Sequence, residues 1–488
     1  MTLERWLAFD IGTTGTKAAL IDGDGHTLRS AYRDYPTHTA ESGVVEQEAA
    51  LWWRAVIEAV RELDPGAVDS IVITGQMQDV ILIDANGDPV RPVILYSDSR
   101  ARQQSDEVNT ALGSDHLRAL TGNSQDAGSL LAKLRWMQQY EAANLRRTAH
   151  LLFSAAGFIG HQMTGNAVND TTTASTTGLM DIQQRRVVGD DMLTTLDLGV
   201  VAGKVAPIHA GGTRIGGLSE SAAALIGLKA GIPVYHAPGD AGAATLGAGS
   251  GVEGRVYAYL GTSGWVAFSS AERLSPDSGV FTLAHPDPGK FIYIAPLLTA
   301  GGNLDWARGV LGAESHATMI EAALDRAPTS LLYLPYLNGE RSPFSDPAAR
   351  GAFIGLNPRH TRDDLSRAVL EGVVYAYRHC LDALIKEPVA ALTLTGGGTR
   401  SPRWCQLFAD MTQTTVHIAD DASNVGLRGA LLAAKVANGQ LDSYAPAGFF
   451  PISASMQPNT AQQAHYDGQY ALFRQTYPAL KGIFAGMA

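Results

Sequence analysis

Two short stretches, half a chain apart, repeat one design, and that repeat limits the possible folds more than any other feature. In the first, the apolar run Trp6 to Phe9 leads into Asp10-Ile-Gly-Thr-Thr-Gly, and Lys17 to Ile21 returns. In the second, Arg255 to Leu260 leads into Gly261-Thr-Ser-Gly264, and Trp265 to Ser270 returns. Apolar run, Gly-rich turn and second apolar run is the pattern of a β-hairpin. After the first hairpin the periodicity alternates. Residues 47–63 put Leu51, Trp52, Ala55, Val56, Ala59, Val60 and Leu63 on one helical face. A buried strand over 70–74 follows, then Gly-Gln-Met-Gln-Asp, then a strand over 80–84 closed by Asn86-Gly87. Interleaved strands and helices predict an α/β fold. A matching hairpin at the start of each half predicts two domains of related fold, 1–248 and 249–488, joined near the Gly-rich stretch 247–254.

Composition removes several classes of function. The net charge of −11 and a pI near 5.6 give nothing in favour of nucleic acid as a partner, for which a basic patch is the minimum. The two cysteines, Cys380 and Cys405, form no CxxC pair and no disulfide framework. The N-terminal stretch lacks a basic region followed by a long apolar run, and no 18-residue apolar stretch occurs. A soluble protein in a reducing, cytoplasmic setting is expected, with no membrane partner. The 52 glycines cluster in short loops between apolar runs, where a backbone can approach a ligand closely.

Four loops carry chemistry. Asp10 stands at the end of an apolar strand, and Gly12 and Gly15 let backbone N–H groups and the Thr13 and Thr14 hydroxyls face a phosphate. A carboxylate beside a phosphate site makes sense with Mg²⁺ between them, since that ion takes few carboxylates and several phosphate or water oxygens. An ordinary hairpin with Asp at its shoulder is the bland alternative. Gly261, Thr262 and Ser263 offer donors with no carboxylate, which suits a second phosphate clamp or a plain turn. Asp240, in Pro238-Gly-Asp-Ala-Gly, follows a strand and opens a small-residue helix. It reads either as an N-cap or as a general base over a substrate hydroxyl. Gly396, Gly397 and Gly398 follow the strand 391–394 and permit flat packing against a ring or phosphate. The chain has no GxxxxGK[ST] loop, no HExxH, no Cys/His cluster and no GxSxG elbow.

Together these motifs resemble the FGGY carbohydrate kinases, a family that includes glycerol kinase, gluconate kinase and xylulokinase. The resemblance runs from Asp10 to about Ala434. Its most specific part is 351–371, where Gly351, Phe353, Gly355, Leu356, Asp364, Leu365, Ala368, Val369, Leu370 and Glu371 fit the fixed positions of the second family signature. The stretches 334–347, 46–53 and Gly75-Gln-Met77 look like the xylulokinase version. The first signature is partial: Lys133 and Trp136 fit, while Leu130 and Tyr140 depart.

The resemblance implies an actin-like, ribonuclease H-like fold of the hexokinase type, two related domains with a cleft between them. It implies an ATP-dependent kinase acting on a hydroxyl of a small sugar or polyol, with a ketopentose such as D-xylulose the first expectation. By analogy Asp240 is the catalytic base, and Asp10 the carboxylate at the metal and phosphates. Thr13 and Thr14 form the first phosphate loop, Gly261 to Ser263 the second, and Gly396 to Gly398 the nucleotide-binding glycines. Gly301, Gly302 and Asn303 lie where relatives touch the adenosine. Gln76, Met77, Gln78, Asp98, Asp240 and Ala241 are the expected acceptor contacts, and Mg²⁺ the expected cofactor. The partners expected are the sugar and ATP, with a homodimer as the assembly considered.

Two departures, at Gln78 and Ala241, bear on the acceptor, and a third accompanies them. Gln78 stands where xylulokinases usually carry His, Ala241 where they carry Asn, and Tyr96 where Trp is common, although Asp98 and Arg100 remain. Kinases of other acceptors (glycerol, gluconate, ribulose-like sugars) therefore stay open. So does a non-catalytic ATP-binding protein of the same fold, against which the presence of Asp240 argues. Intact Gly-Thr loops argue against a degenerate sugar-binding regulator.

Overall fold

The computed structural model describes residues 4–274, 279–387 and 389–487. The chain forms two compact units. The first takes in the chain up to Gly247 together with Phe281–Ile292 and Asn424–Phe449, and the second takes in the rest. The units are thus not contiguous halves.

In the first unit, β1 (Arg5–Ile11), β2 (Gly15–Asp22) and β3 (Thr27–Asp34) form an antiparallel meander. On the other side of β1, β4 (Ser70–Gly75) runs parallel to it and β6 (Pro233–His236) parallel to β4, with β5 (Thr213–Gly217) antiparallel at the edge. Both faces are covered. The helix Ala49–Leu63 lays Trp52, Ala55, Val56, Ala59, Val60 and Leu63 against β2 and β3. The helix Val425–Ala437, from the far end of the sequence, lies against β1 and β4.

The expected helix over 47–63 begins two residues later, at Ala49. Gln47 instead closes the strand Val44–Gln47, because its amide is committed elsewhere: it donates to the Thr13 carbonyl at 2.6 Å. Similarly, the strand expected over 80–84 starts earlier and spans Met77–Ile83.

The second unit repeats the plan. Here β7 (Val256–Leu260) and β8 (Gly264–Ser270) form the antiparallel hairpin, with β9 (Phe291–Leu297) beyond β8. On the other side β10 (Ala391–Thr395) is parallel to β7, β11 (Thr415–Ala419) parallel to β10, and β12 (Ile452–Met456) antiparallel at the edge. Hairpin, two parallel strands and an antiparallel edge occur in the same spatial order in both sheets. The long helix Arg362–Leu384 opens with a capping box, Thr361 and Asp364 bonding each other's backbone N–H. Arg326 beside Asp364 holds that carboxyl down to about 2.

One contact fixes the geometry of the first unit's working edge. The helix Asp240–Gly247 lies directly on Val425–Ala437. A Cβ on Gly429 would come within 1.8 Å of the Ala243 carbonyl oxygen, and one on Gly247 within 1.8 Å of the Val425 carbonyl oxygen. Only glycine lets the two backbones touch. Gly429→Ala is therefore expected to lower stability by about 1–3 kcal/mol through overpacking. Gly468→Ala, on an exposed helical turn with nothing within 4 Å, should raise it by up to about 1 kcal/mol. Urea denaturation of the two variants beside the parent checks both signs.

Candidate active site

Three adjacent parallel strands of the first unit end at one edge, and each delivers a residue there. The register pairs Asp10 of β1 with Thr74 of β4, and Ile73 of β4 with His236 of β6. Asp10 lies near the end of β1, Gln76 just beyond β4, and Asp240 four residues beyond β6. The carboxyl ends of parallel strands are where open α/β sheets bind ligands. The Thr74 hydroxyl donates to the Pro238 carbonyl at 2.7 Å, which anchors the turn into Asp240.

The two carboxylates feel each other. Burial pushes Asp240 up to about 7, and the negative charge of Asp10 adds to the rise. Burial also raises Asp10, with Lys17 opposing in part. A lone Asp240 oxygen accepts from its own helix at Ala241 N–H, 2.7 Å away. Two like charges at one edge fit a site completed by a cation. Among the described residues no group of three or more His, Cys, Asp or Glu gathers to hold a metal by itself. That suits Mg²⁺, which takes one or two carboxylates and otherwise phosphate and water oxygens. The start of the helix Val425–Ala437 lies against Asp10, since a Cβ on Gly426 would stand in van der Waals contact, 3.8 Å, with its Oδ2.

The loop from Gly12 to Gly15 is held from beneath. Tyr35 donates to the Gly12 carbonyl at 2.5 Å, Gln47 to the Thr13 carbonyl, and the Thr13 hydroxyl to Gln76 Oε1 at 3.0 Å. The Thr14 and Tyr32 hydroxyls lie 3.1 Å apart. Gln76 is 1% exposed, and its Nε2 donates to Gln47, so it locks the loop rather than facing a ligand. Met77 is buried beside it. Gln78 holds a left-handed backbone at φ 64°, uncommon for a residue with a side chain, while its amide nitrogen donates to the Thr176 carbonyl at 2.9 Å. That leaves the Gln78 amide oxygen free to accept. Ala241 is half-buried at the start of its helix.

Asp98, expected among the acceptor contacts, is corrected by its surroundings. Its side chain is fully buried, and both oxygens are taken by Arg100 at 2.6–3.1 Å and by Val45 N–H at 2.6 Å. Arg100 lies over the Trp136 ring at 5.0 Å and also bonds Glu46. Asp98 and Arg100 thus brace a loop. Sequence reasoning also missed Asp79, wholly buried with its Oδ1 on Tyr96 N–H at 3.0 Å. The only signal was its place in the Gly-Gln-Met-Gln-Asp run.

The second unit carries a cleft of about 600 Å³ at the ends of β7 and β10. Gly261, Thr262, Gly301, Gly397 and Gly398 line it, with Leu304, Ile320 and Trp404 apolar and Arg400 cationic. Asp305 and His316 pair there at 2.9 Å. Size and lining suit a nucleotide-sized ligand. Gly302 N–H donates to the Thr262 carbonyl, and Ser263 and Gly396 shape the turns behind the lining. Asn303 is a second correction: its side chain is wholly buried, donating to the Thr299, Ala300 and Pro335 carbonyls and accepting from the Tyr333 hydroxyl at 2.8 Å. It fastens the turn that leads into its helix.

Comparison with known proteins agrees along the chain. The N-terminal domain of the FGGY family of carbohydrate kinases matches residues 5–247, and its C-terminal domain residues 256–438. A xylulose kinase of Escherichia coli K12 is 30% identical over 493 residues, covering 98% of this chain and all of that one. The solved structure of a Rhodospirillum rubrum xylulose kinase is 28% identical with a TM-score of 0.89, covering 99% of this chain and all of the other. A Lactobacillus acidophilus gluconate kinase, 23% identical, shares the fold at a TM-score of 0.92, with full coverage of both chains. Among the described residues no helix is long and apolar enough to cross a membrane.

The raised Asp240 carries a stability consequence. A carboxyl whose folded pKa lies above its unfolded value leaves the folded state holding more protons between the ordinary value of 3.8 and about 7, so stability falls as pH rises through that window. Asp240→Asn keeps a side-chain oxygen for Ala241 N–H and removes the buried charge. Its Tm is expected above the parent's at pH 8 and equal to it near pH 4. A Tm unchanged or lowered at pH 8 would make Asp240 a simple helix cap.

Proposed function

Because the chain belongs to the FGGY family of carbohydrate kinases, sugar kinases of two-domain actin-like fold that use ATP, we propose that it moves the γ-phosphoryl group of Mg-ATP onto a hydroxyl of a ketopentose, D-xylulose being the first candidate. The observation that carries this reading is that Asp240 and Asp10 stand at or beyond the ends of the two parallel strands that flank β4, at one edge of the sheet and within electrostatic reach of each other, beside a braced Gly-Thr loop.

In this reading residues 1–248 read the sugar and 249–488 hold mainly the nucleotide. Asp240 accepts the proton of the attacking hydroxyl, and a base whose pKa lies near 7 is well matched to that task. Phosphoryl transfer otherwise rests on positioning and charge neutralisation. Thr13 and Thr14 orient the transferring phosphate, and Gly261, Thr262 and Ser263 clamp its neighbours. Gly397 and Gly398 give the base a flat floor, with Gly301 and Gly302 bounding the adenosine. Asp10 would hold Mg²⁺, which supplies charge neutralisation on the phosphates. The side chains of Asp98 and Asn303 support from behind.

Gln78 and Ala241 tune the acceptor. With its nitrogen tied to Thr176, Gln78 presents an acceptor oxygen and so favours a sugar hydroxyl that donates. Ala241 offers no hydrogen bond and leaves room. One missing neutral hydrogen bond is worth roughly 0.5–1.5 kcal/mol, tenfold or so in selectivity. The test is an ATP-consumption screen over pentuloses, hexuloses, pentitols, glycerol and gluconate, with and without excess EDTA. A ketopentose is expected to lead, with no turnover in EDTA. Gln78→His and Ala241→Asn should each change the ranking of D-xylulose against the best rival by several-fold. If D-xylulose already ranks first and neither variant alters its kcat/KM, these positions do not set specificity. Equal rates in EDTA would remove the metal.

A further inference from the structure

In the second unit, residues 335–351 connect the short strands Leu332–Leu334 and Ala352–Ile354. They bury a carboxylate that has no part in the transfer as proposed. Glu340 is 2% exposed. Its Oε1 accepts from the Leu298 N–H at 3.0 Å and from the Arg341 N–H at 2.7 Å, while Oε2 has no hydrogen-bond partner. Burying a carboxylate is costly unless close partners take up its oxygens. Here the long-range partner is one backbone N–H, 42 residues away in the chain.

The loop that carries Glu340 is stiff. Glu340 and Asp346 exchange backbone hydrogen bonds at 3.0 and 2.9 Å. Tyr477, on the long helix Gln463–Ala485, donates to Asp346 Oδ2 at 2.6 Å and stacks on Phe344 with ring centroids 3.7 Å apart. From this base the loop grips the segment that follows β9. Glu340 takes Leu298, and Asn338 donates its side-chain amide to the Thr299 hydroxyl at 3.1 Å. That segment in turn carries the second Gly-Thr turn. The Ala300 and Gly302 N–H groups both donate to the Thr262 carbonyl at 2.9 Å, and the Gly301 N–H donates to the Gly261 carbonyl at 2.8 Å. A Cβ on Gly301 would stand 2.6 Å from the Gly261 carbonyl oxygen, so the two backbones are in contact. Gly261, Thr262 and Gly301 all line the cleft of the second unit.

We propose that Glu340 and Asn338 are positioning residues for the nucleotide: they hold residues 298–302, which hold the Gly261-Thr262 turn and so decide how the phosphates of ATP are seated. This rests on the kinase reading above. Burial pushes the Glu340 carboxyl up to about 7, so near neutral pH a neutral amide is a close stand-in for it.

The experiment is steady-state kinetics with the full chain, ATP and the best acceptor of the screen. Glu340→Leu leaves the Leu298 and Arg341 N–H groups without their acceptor. It is expected to raise the KM for ATP about tenfold while the acceptor KM stays within about twofold of the parent. Glu340→Gln keeps an oxygen for both N–H groups and should restore the ATP KM to within about threefold. Asn338→Ala, on an exposed residue, should raise the ATP KM by roughly threefold, again without moving the acceptor KM. The rise in Tm on adding Mg-ADP alone gives a readout that needs no turnover, and it should shrink in Glu340→Leu and in Asn338→Ala. If Glu340→Leu does not fold, Asn338→Ala decides. An ATP KM unchanged in the variant that decides, both KM values raised alike, or a Glu340→Gln as impaired as Glu340→Leu overturns this inference alone. A parent that turns over no acceptor overturns the kinase reading, and the Mg-ADP shift then decides this inference: a parent that Mg-ADP does not stabilise, or variants stabilised as much as the parent, overturns it too.

Discussion

The first unit's working edge depends on a backbone contact between two helices. Asp240–Gly247 can rest on Val425–Ala437 only because Gly247 and Gly429 lack side chains. That contact brings a segment from the end of the sequence back onto β1 and β4, the strands that deliver Asp10 and Gln76. It thereby sets how far Asp240 stands from Asp10. Two carboxylates near each other in a partly desolvated place repel, and the fold holds them there regardless. Strain of this kind is common where chemistry is done, because the group that would relieve it is a ligand.

Much of this was legible along the chain. A hairpin is a local pattern, so both Gly-Thr turns and their strands could be read directly, and the matching strand order of the two sheets follows from that repeat. Asp10 and Asp240 could be named because each sits at a strand end, a position that sequence pattern marks. What pattern does not mark is where a side chain turns. Asp98 lies in the expected loop and Asn303 at the start of the helix Gly302–Leu311, yet tertiary partners claim their polar atoms: Arg100 and Val45 in one case, Tyr333 and three carbonyls in the other. The return of Val425–Ala437 to the first unit was equally hidden. It rests on a contact between glycines far apart in sequence, and no local signal announces it.

The bracing residues share one theme. Gln47, Gln76, Tyr35, Asp79, Asp98, Lys133 and Asn303 bond to backbone groups of loops or to one another. Their number reflects what phosphoryl transfer demands. The reaction needs little covalent help from protein and much exact placement of oxygen atoms, so rigid loops are worth more than extra reactive groups. The family signature residues Lys133 and Trp136 belong to that bracing: one holds carbonyls, the other lies under Arg100.

The central claim is that Asp240 takes the proton as phosphate passes from ATP to a sugar hydroxyl. The most direct measurement follows the reaction by ³¹P NMR, with the parent and Asp240→Asn side by side, on ATP, Mg²⁺ and the best acceptor. The parent should convert the γ-phosphate into a sugar phosphomonoester in step with ADP, without inorganic phosphate. Asp240→Asn should form that ester about 10²–10⁴-fold more slowly. Release of inorganic phosphate alone by the parent, or ester formation by Asp240→Asn within threefold of it, would contradict the account.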